Sequence, residues 1–215
     1  MNPKIKIVIS MLIYGSLGLF VTQLAIPTAE IVFVRAALGC LALFLVLLAS
    51  GKNKEKVPVG SFIVLLILGA LIGINWLLLF DAYKYTYVST ATLIYYIQPI
   101  FVILLSALFL KEKLTSRKIV GVVFAIVGMI LINGIKLGGA DPKRGFILSL
   151  WAAILYAIIV FINKANKKLA KIDGLVLTDI QMFGAAVVMA IVSNQSGIPL
   201  NHLNFKSIKL LEENK

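Results

Sequence analysis

The side chains of this 215-residue chain best suited to chemistry lie where water is scarce. Tyr95, Tyr96 and Gln98 sit in the middle of an apolar run, residues 88–110, immediately before Pro99. Two phenols and a carboxamide offer hydrogen-bonding groups beside aromatic faces, a set suited to reversible binding of small amphipathic solutes. Pro99 removes a backbone hydrogen bond and loosens a helix around it, which makes it a candidate hinge. On a helix, Ser89, Thr92, Tyr96 and Pro99 form one stripe, and Ala91, Tyr95 and Gln98 a second. At least one stripe must face protein or a cavity, because such groups are costly against lipid. The competing reading is an aromatic packing layer with one interhelical hydrogen bond. Tyr14, Asn75 and Trp76, in neighbouring apolar runs, fit either reading.

Two charged residues lie within other apolar runs. Arg35 is eight positions into the run 28–49, roughly 10 Å below the membrane surface. An arginine at that depth needs an anion or carbonyl groups. It therefore reads either as a contact for a substrate carboxylate or gating ion pair, or as an anchor between helices. Asp179, in the run 174–193, is a candidate carrier of a coupling proton or a hydrated interface residue. Its depth differs from that of Arg35 by roughly 10 Å, which argues against a direct ion pair between them. Glu30 and Asp81 lie at run ends and read as solvated. Bond-making chemistry has no such foothold. The patterns GxSxG, HExxH and GxGD are absent, and the single histidine, His202, lies in the polar tail. The single cysteine, Cys40, has no metal-ligand company and reads as a small packing residue. The sequence thus points away from an enzyme and calls for no catalytic residue, metal or other cofactor.

The elements that position these residues follow from composition. Sixty per cent of the chain is hydrophobic and the mean hydropathy is +1.01. The excess sits in seven runs, 5–26, 28–49, 60–81, 88–110, 118–135, 145–163 and 174–193. About 20 apolar residues make a helix that crosses roughly 30 Å of hydrocarbon. Period-2 alternation is missing, so a β-barrel is not expected. The fold class is an all-α polytopic membrane bundle of about seven transmembrane helices. Gly69-x3-Gly73, and Gly121-x3-Ala125 followed by Gly128, are small-residue faces that let helices approach closely. Trp151 lies near a run end and reads as an interface anchor.

The net charge is +12. Lysine and arginine crowd alternate loops: Lys4 and Lys6, residues 52–56, residues 111–118 and residues 164–171. Only Lys84, Lys136, Lys143 and Arg144 occupy the other side before the tail. The positive-inside rule then places the N-terminus in the cytoplasm of a multi-pass cell-membrane protein. The charge reads as topology and contact with lipid headgroups, and no nucleic-acid partner is expected.

Gly138, Gly139, Asp141 and Pro142 mark a boundary between units. Residues 10–20 and 150–161 share hydropathy and an aromatic-small pair, Tyr14 and Gly15 against Tyr156 and Ala157. Residues 30–39 loosely match 177–186. Five helices precede the boundary, so a second copy would start on the opposite side of the membrane, as an inverted repeat. The expected organisation is a five-helix first repeat at 1–137, a linker at 138–144, a partial inverted second repeat of two helices at 145–193, and a polar tail at 194–215.

From Asn75 to Lys118 the sequence resembles the drug/metabolite transporter superfamily, in its EamA-type branch. The resembling elements are FDAYKYTYVSTATLI, the mid-helix Pro99, LFLKEKLTSRK and the glycine-containing GVVFAIVGMILI. Tyr14 with Gly15, and Arg35, also fit the pattern, and the resemblance extends over residues 5 to about 193. It implies a ten-helix, two-repeat transporter of small metabolites, often an exporter of amino acids and related compounds. It also implies a solute path past Tyr14, Asn75, Tyr95, Gln98 and Tyr156. Glu112 matches the glutamate that ends the family's fourth helix, read as structural. Three helices of the family pattern are missing, so the expected partners are the bilayer, a small solute, and a second copy or a separate chain completing the cavity. The competing expectation is a non-transporting fragment or assembly partner.

Overall fold

The computed structural model describes residues 27–50, 56–112, 116–133 and 138–195. Tyr14, the first apolar run and the tail from residue 196 lie outside the described residues. Among the described residues seven α-helices follow in order: α1 (Thr28–Ser50), α2 (Val59–Tyr85), α3 (Val88–Tyr95), α4 (Gln98–Leu110), α5 (Ser116–Asn133), α6 (Pro142–Ala165) and α7 (Gly174–Gln195). A 3₁₀ turn, Leu169–Lys171, precedes α7. Among the described residues, five spans are long and apolar enough to cross a membrane: Thr28–Ser50, Val59–Tyr85, Val88–Leu110, Pro142–Ala165 and Gly174–Asn194. The protein is all-α and polytopic, with Leu41, Leu108, Phe124 and Leu131 among the apolar side chains turned outward, where lipid is their solvent.

The helix ends are written locally. Asp141 caps α6 by accepting the Arg144 N–H at 3.1 Å, and Pro142 follows in the first turn, where its missing N–H costs nothing. Asp173 accepts the Leu175 N–H at 2.9 Å at the start of α7. At the end of α4, Lys111 adopts a left-handed conformation (φ 54°), and the Glu112 N–H reaches back to the Ser106 carbonyl at 3.4 Å. That six-residue closure usually employs glycine. Here a lysine takes the position, and the turn aims Glu112 at α6.

The run 88–110 is one span but two helices. Pro99 has no N–H to give the Tyr95 carbonyl, and its ring crowds that carbonyl. The ladder tightens at this point: Ile97 N–H bonds to Ile94 (3.1 Å), and Ile100 N–H to Ile97 (2.9 Å), each three residues back.

The core forms where α2 packs against α1, α6 and α7, with Val32, Leu65, Leu68, Ile159 and Met189 fully enclosed. The α2–α7 crossing brings backbones into contact. A methyl group at Gly69 would collide with the Gln181 carbonyl, and one at Gly184 would come within 2.6 Å of the Leu66 carbonyl. Gly73 faces Ala185 at the next turn, so the two helices run parallel. The Gly69 face is therefore consumed by close packing. Gly121 and Gly128 on α5, the other small-residue face, have open space around them among the described residues.

The segment 138–145 is bound to the junction of α2 and α3. The Asp141 N–H bonds to the Tyr85 carbonyl at 3.0 Å, and Thr86 Oγ1 donates to the Gly138 carbonyl at 3.0 Å. Gly139 (φ 117°) lies against the Tyr85 carbonyl and Thr86 Cα, where both the backbone conformation and the space exclude a side chain. Arg144 places its guanidinium 4.2 Å above the Tyr85 ring.

Candidate solute path

On the span 88–110, packing against α2 and α6 turns the second stripe inward. Ala91 is fully buried, and Tyr95 and Gln98 are half-buried, whereas Tyr96 and Pro99 are exposed. Tyr95 donates from its hydroxyl to Asn75 Oδ1 at 3.2 Å, and its ring meets that of Tyr156 edge-on at 6.0 Å. Asn75, fully buried on α2, donates from Nδ2 to the Ala152 carbonyl on α6 at 2.5 Å. One carboxamide thus ties α2, α3 and α6 into a polar layer within an apolar bundle. Nearby, the Tyr83 and Thr92 hydroxyls share a hydrogen bond of 3.3 Å between α2 and α3. Gln98 behaves differently. Its Oε1 is buried without a hydrogen-bond partner among the described residues, beside the helix break. A buried acceptor left unmatched is costly, and a donor group on a solute would relieve that cost.

Arg35 stacks its guanidinium 4.0 Å from the Trp76 ring centre and 5.7 Å from that of Phe80. Stacking on aromatic faces suits the weakly hydrated guanidinium group, and it fixes Arg35 against α2. Asp179 is elsewhere: it lies beside Cys40 at the α1–α7 interface, with Oδ1 buried and unpartnered among the described residues. Among the described residues, Arg35 and Asp179 are not paired with each other. Among the predicted path residues, the structure brings together Asn75, Tyr95 and Tyr156, with Gln98 three residues along the same stripe. It sets Arg35 on the neighbouring aromatic pair and Asp179 on a separate interface.

Glu112 sits two residues beyond Leu110, the last residue of α4, and pairs with Lys164 of α6. Lys164 Nζ lies 2.7 Å from both carboxylate oxygens and 3.3 Å from Ser106 Oγ. Between this pair and the polar layer, Phe109 and Phe161 meet at 5.6 Å. Sequence reasoning took Lys164 only as part of a basic loop, and 52 residues of separation hid its partner. A second difference concerns Glu30. A helix-end glutamate reads as solvated, yet Glu30 is only 8% exposed and its Oε1 has no partner among the described residues. Asp81 does sit at a wet helix end, 2.9 Å from Lys84.

Residues 4–134 match the EamA-like transporter family. This chain belongs to that family, within the drug/metabolite transporter superfamily. Among its relatives is the Uncharacterized transporter YxxF of Bacillus subtilis (strain 168), 34% identical over 77% of this chain and 55% of the relative. The Pseudopaline exporter CntI of Pseudomonas aeruginosa is 31% identical over 50% of this chain and 37% of the relative. Protein PecM of Dickeya dadantii is 30% identical over 67% and 48%. The chain spans about half the length of the curated relatives it matches. A solved crystal structure shares the fold, with a TM-score of 0.63 at 18% identity, over 83% of this chain and 61% of that one. EamA-like membership and the apolar spans together make this a multi-pass membrane protein of a transporter family.

Proposed function

We propose that the protein carries small metabolites across the cell membrane by alternating access, in the direction of export. The observation that carries this reading is the polar layer of Asn75, Tyr95 and Tyr156 at a proline-broken span, with the unmatched Gln98 oxygen beside it. Broken helices at mid-membrane are how transporters place hydrogen-bonding groups for a solute. The layer joins α3 to α6, which belong to different units in the two-repeat division at 138–144, so relative motion of those units would remake it. Pro99 supplies the flexing point, and Asp179 is the candidate for a coupled proton. Amino acids and related compounds fit the donor and acceptor chemistry of the layer. The export direction draws support from the relative named for exporting pseudopaline. The lysine-rich ends of α4 and α6 are assigned to the cytoplasm, together with the N-terminus.

Reconstitution into liposomes tests the proposal. Saturable flux of a metabolite from a broad panel, abolished by Gln98→Leu with the fold intact, supports it. Well-folded protein that moves nothing on that panel would favour the second reading, in which this chain is an assembly partner of a larger transporter.

A further inference from the structure

We infer that Glu112 and Lys164 form a gate latch that closes one end of the path between α4 and α6. The inference rests on the transport reading for its purpose, and on geometry for its existence. Below the break, α4 is a 13-residue arm, about 20 Å long at 1.5 Å per residue. The arm meets α6 first at buried Ser106, which accepts from Lys164, then along its outer side where Phe109 touches Phe161, and ends on the pair of Glu112 and Lys164. The arm's upper end is the tightened turn before Pro99, where the helical ladder is already interrupted.

Three features make this contact a switchable closure. Lys164 holds both Glu112 oxygens at 2.7 Å, yet the two side chains are 43% and 35% exposed, so water can replace each partner at modest cost. Beneath them Ser106 is only 3% exposed, and Lys164, held by Glu112, lies over its hydroxyl at 3.3 Å. And Glu112 is presented by the left-handed turn at Lys111, whose carbonyl-closing bond anchors it to the arm itself, so arm and carboxylate move as one body. The latch is a positioning device: neither residue needs to touch solute.

The test uses the full chain in nanodiscs, which leave both faces open to reagent. Cys40→Ser removes the only cysteine, and Ser106→Cys then reports opening by its rate of reaction with a hydrophilic maleimide. Lys164→Ala and Glu112→Gln are each expected to raise that rate by about fivefold, the shift a half-exposed charge pair exerts on an opening equilibrium. The exchange Glu112→Lys with Lys164→Glu is expected to restore slow reaction. Ser149→Cys, at a fully buried α6 position far from the latch, reports unfolding and is expected to stay protected throughout. Unchanged Ser106→Cys labelling in the single variants overturns the latch. So does a failure of the exchange to restore protection, or joint exposure of both reporters, which would make the pair a brace of the fold. Normal latch behaviour without liposome flux of any solute would overturn the transport reading and leave the latch in place.

Discussion

α6 is held at both ends, and the two attachments differ in kind. At its start, the segment 138–145 meets residues 85 and 86 chiefly through main-chain groups: the Asp141 N–H on the Tyr85 carbonyl, the Gly138 carbonyl accepting from the Thr86 hydroxyl, and Gly139 where no side chain fits. Near its end, Lys164 meets Glu112 of the α4 arm at the edge of water. With Gly139 held at φ 117° against the Tyr85 carbonyl, and Gly145 buried against Thr86, that contact has little room to rearrange. A half-exposed ion pair is weak, and each partner has water as a substitute. α6 is therefore pinned to the α2–α3 junction at its start and, near its end, tied to α7 where Asn163 accepts from Gln181 at 3.0 Å, while its contact with α4 is releasable, the asymmetry a gate requires.

The largest effects should come from forcing the pinned regions. Gly139→Val and Gly69→Leu are each expected to cost about 3 kcal/mol or more, from a left-handed backbone in the first case and backbone overlap in the second. Loss of monodisperse protein, or a large fall in thermal midpoint in detergent, would register this. Gly121→Leu, on the open α5 face, should leave the midpoint nearly unchanged, and an equal loss there would remove the distinction between the two small-residue faces.

Asn75→Leu should rank next. It strands the Ala152 carbonyl and the Tyr95 hydroxyl, at about 1–3 kcal/mol. Tyr95→Phe, which keeps the ring against Tyr156, should cost about 1 kcal/mol. A double-mutant cycle on the two positions measures their coupling, and strict additivity would mean the layer is not one unit.

The smallest effect on stability should be at the releasable end. Glu112→Gln should cost less than about 1 kcal/mol, and added salt should weaken the wild-type pair in the same direction. A loss as large as that for Asn75→Leu would place Glu112 in the fold's permanent framework.

These contrasts show what the sequence could express. Span lengths and the break at Pro99 are local properties, so run length and proline chemistry reveal them. Asp141 before Pro142 likewise announces the start of α6. The choice between two polar stripes on residues 88–99 is not local. Helical periodicity defines both, and only the position of α2 and α6 turns Tyr95 and Gln98 inward and Tyr96 outward. The Gly69 and Gly121 faces are equivalent as patterns, and tertiary packing alone fills one. Lys164 was hidden for a further reason. A lysine beside a basic loop already has an explanation in membrane topology, and its real neighbour lies 52 residues away. Glu30 reversed its expected environment because its burial is imposed by packing at the start of α1, which no helix-end rule describes.

The most direct measurement is a pair of spin-label distances in the full chain in nanodiscs, one across each attachment. Labels at Lys84 and Lys143 span the pinned end, and labels at Leu110 and Lys167 span the releasable end. The first pair is expected to give a single narrow distribution in every condition. The second pair is expected to give two populations, with Lys164→Ala shifting weight to the longer distance. Identical narrow distributions at both ends, unmoved by Lys164→Ala, would contradict the latch.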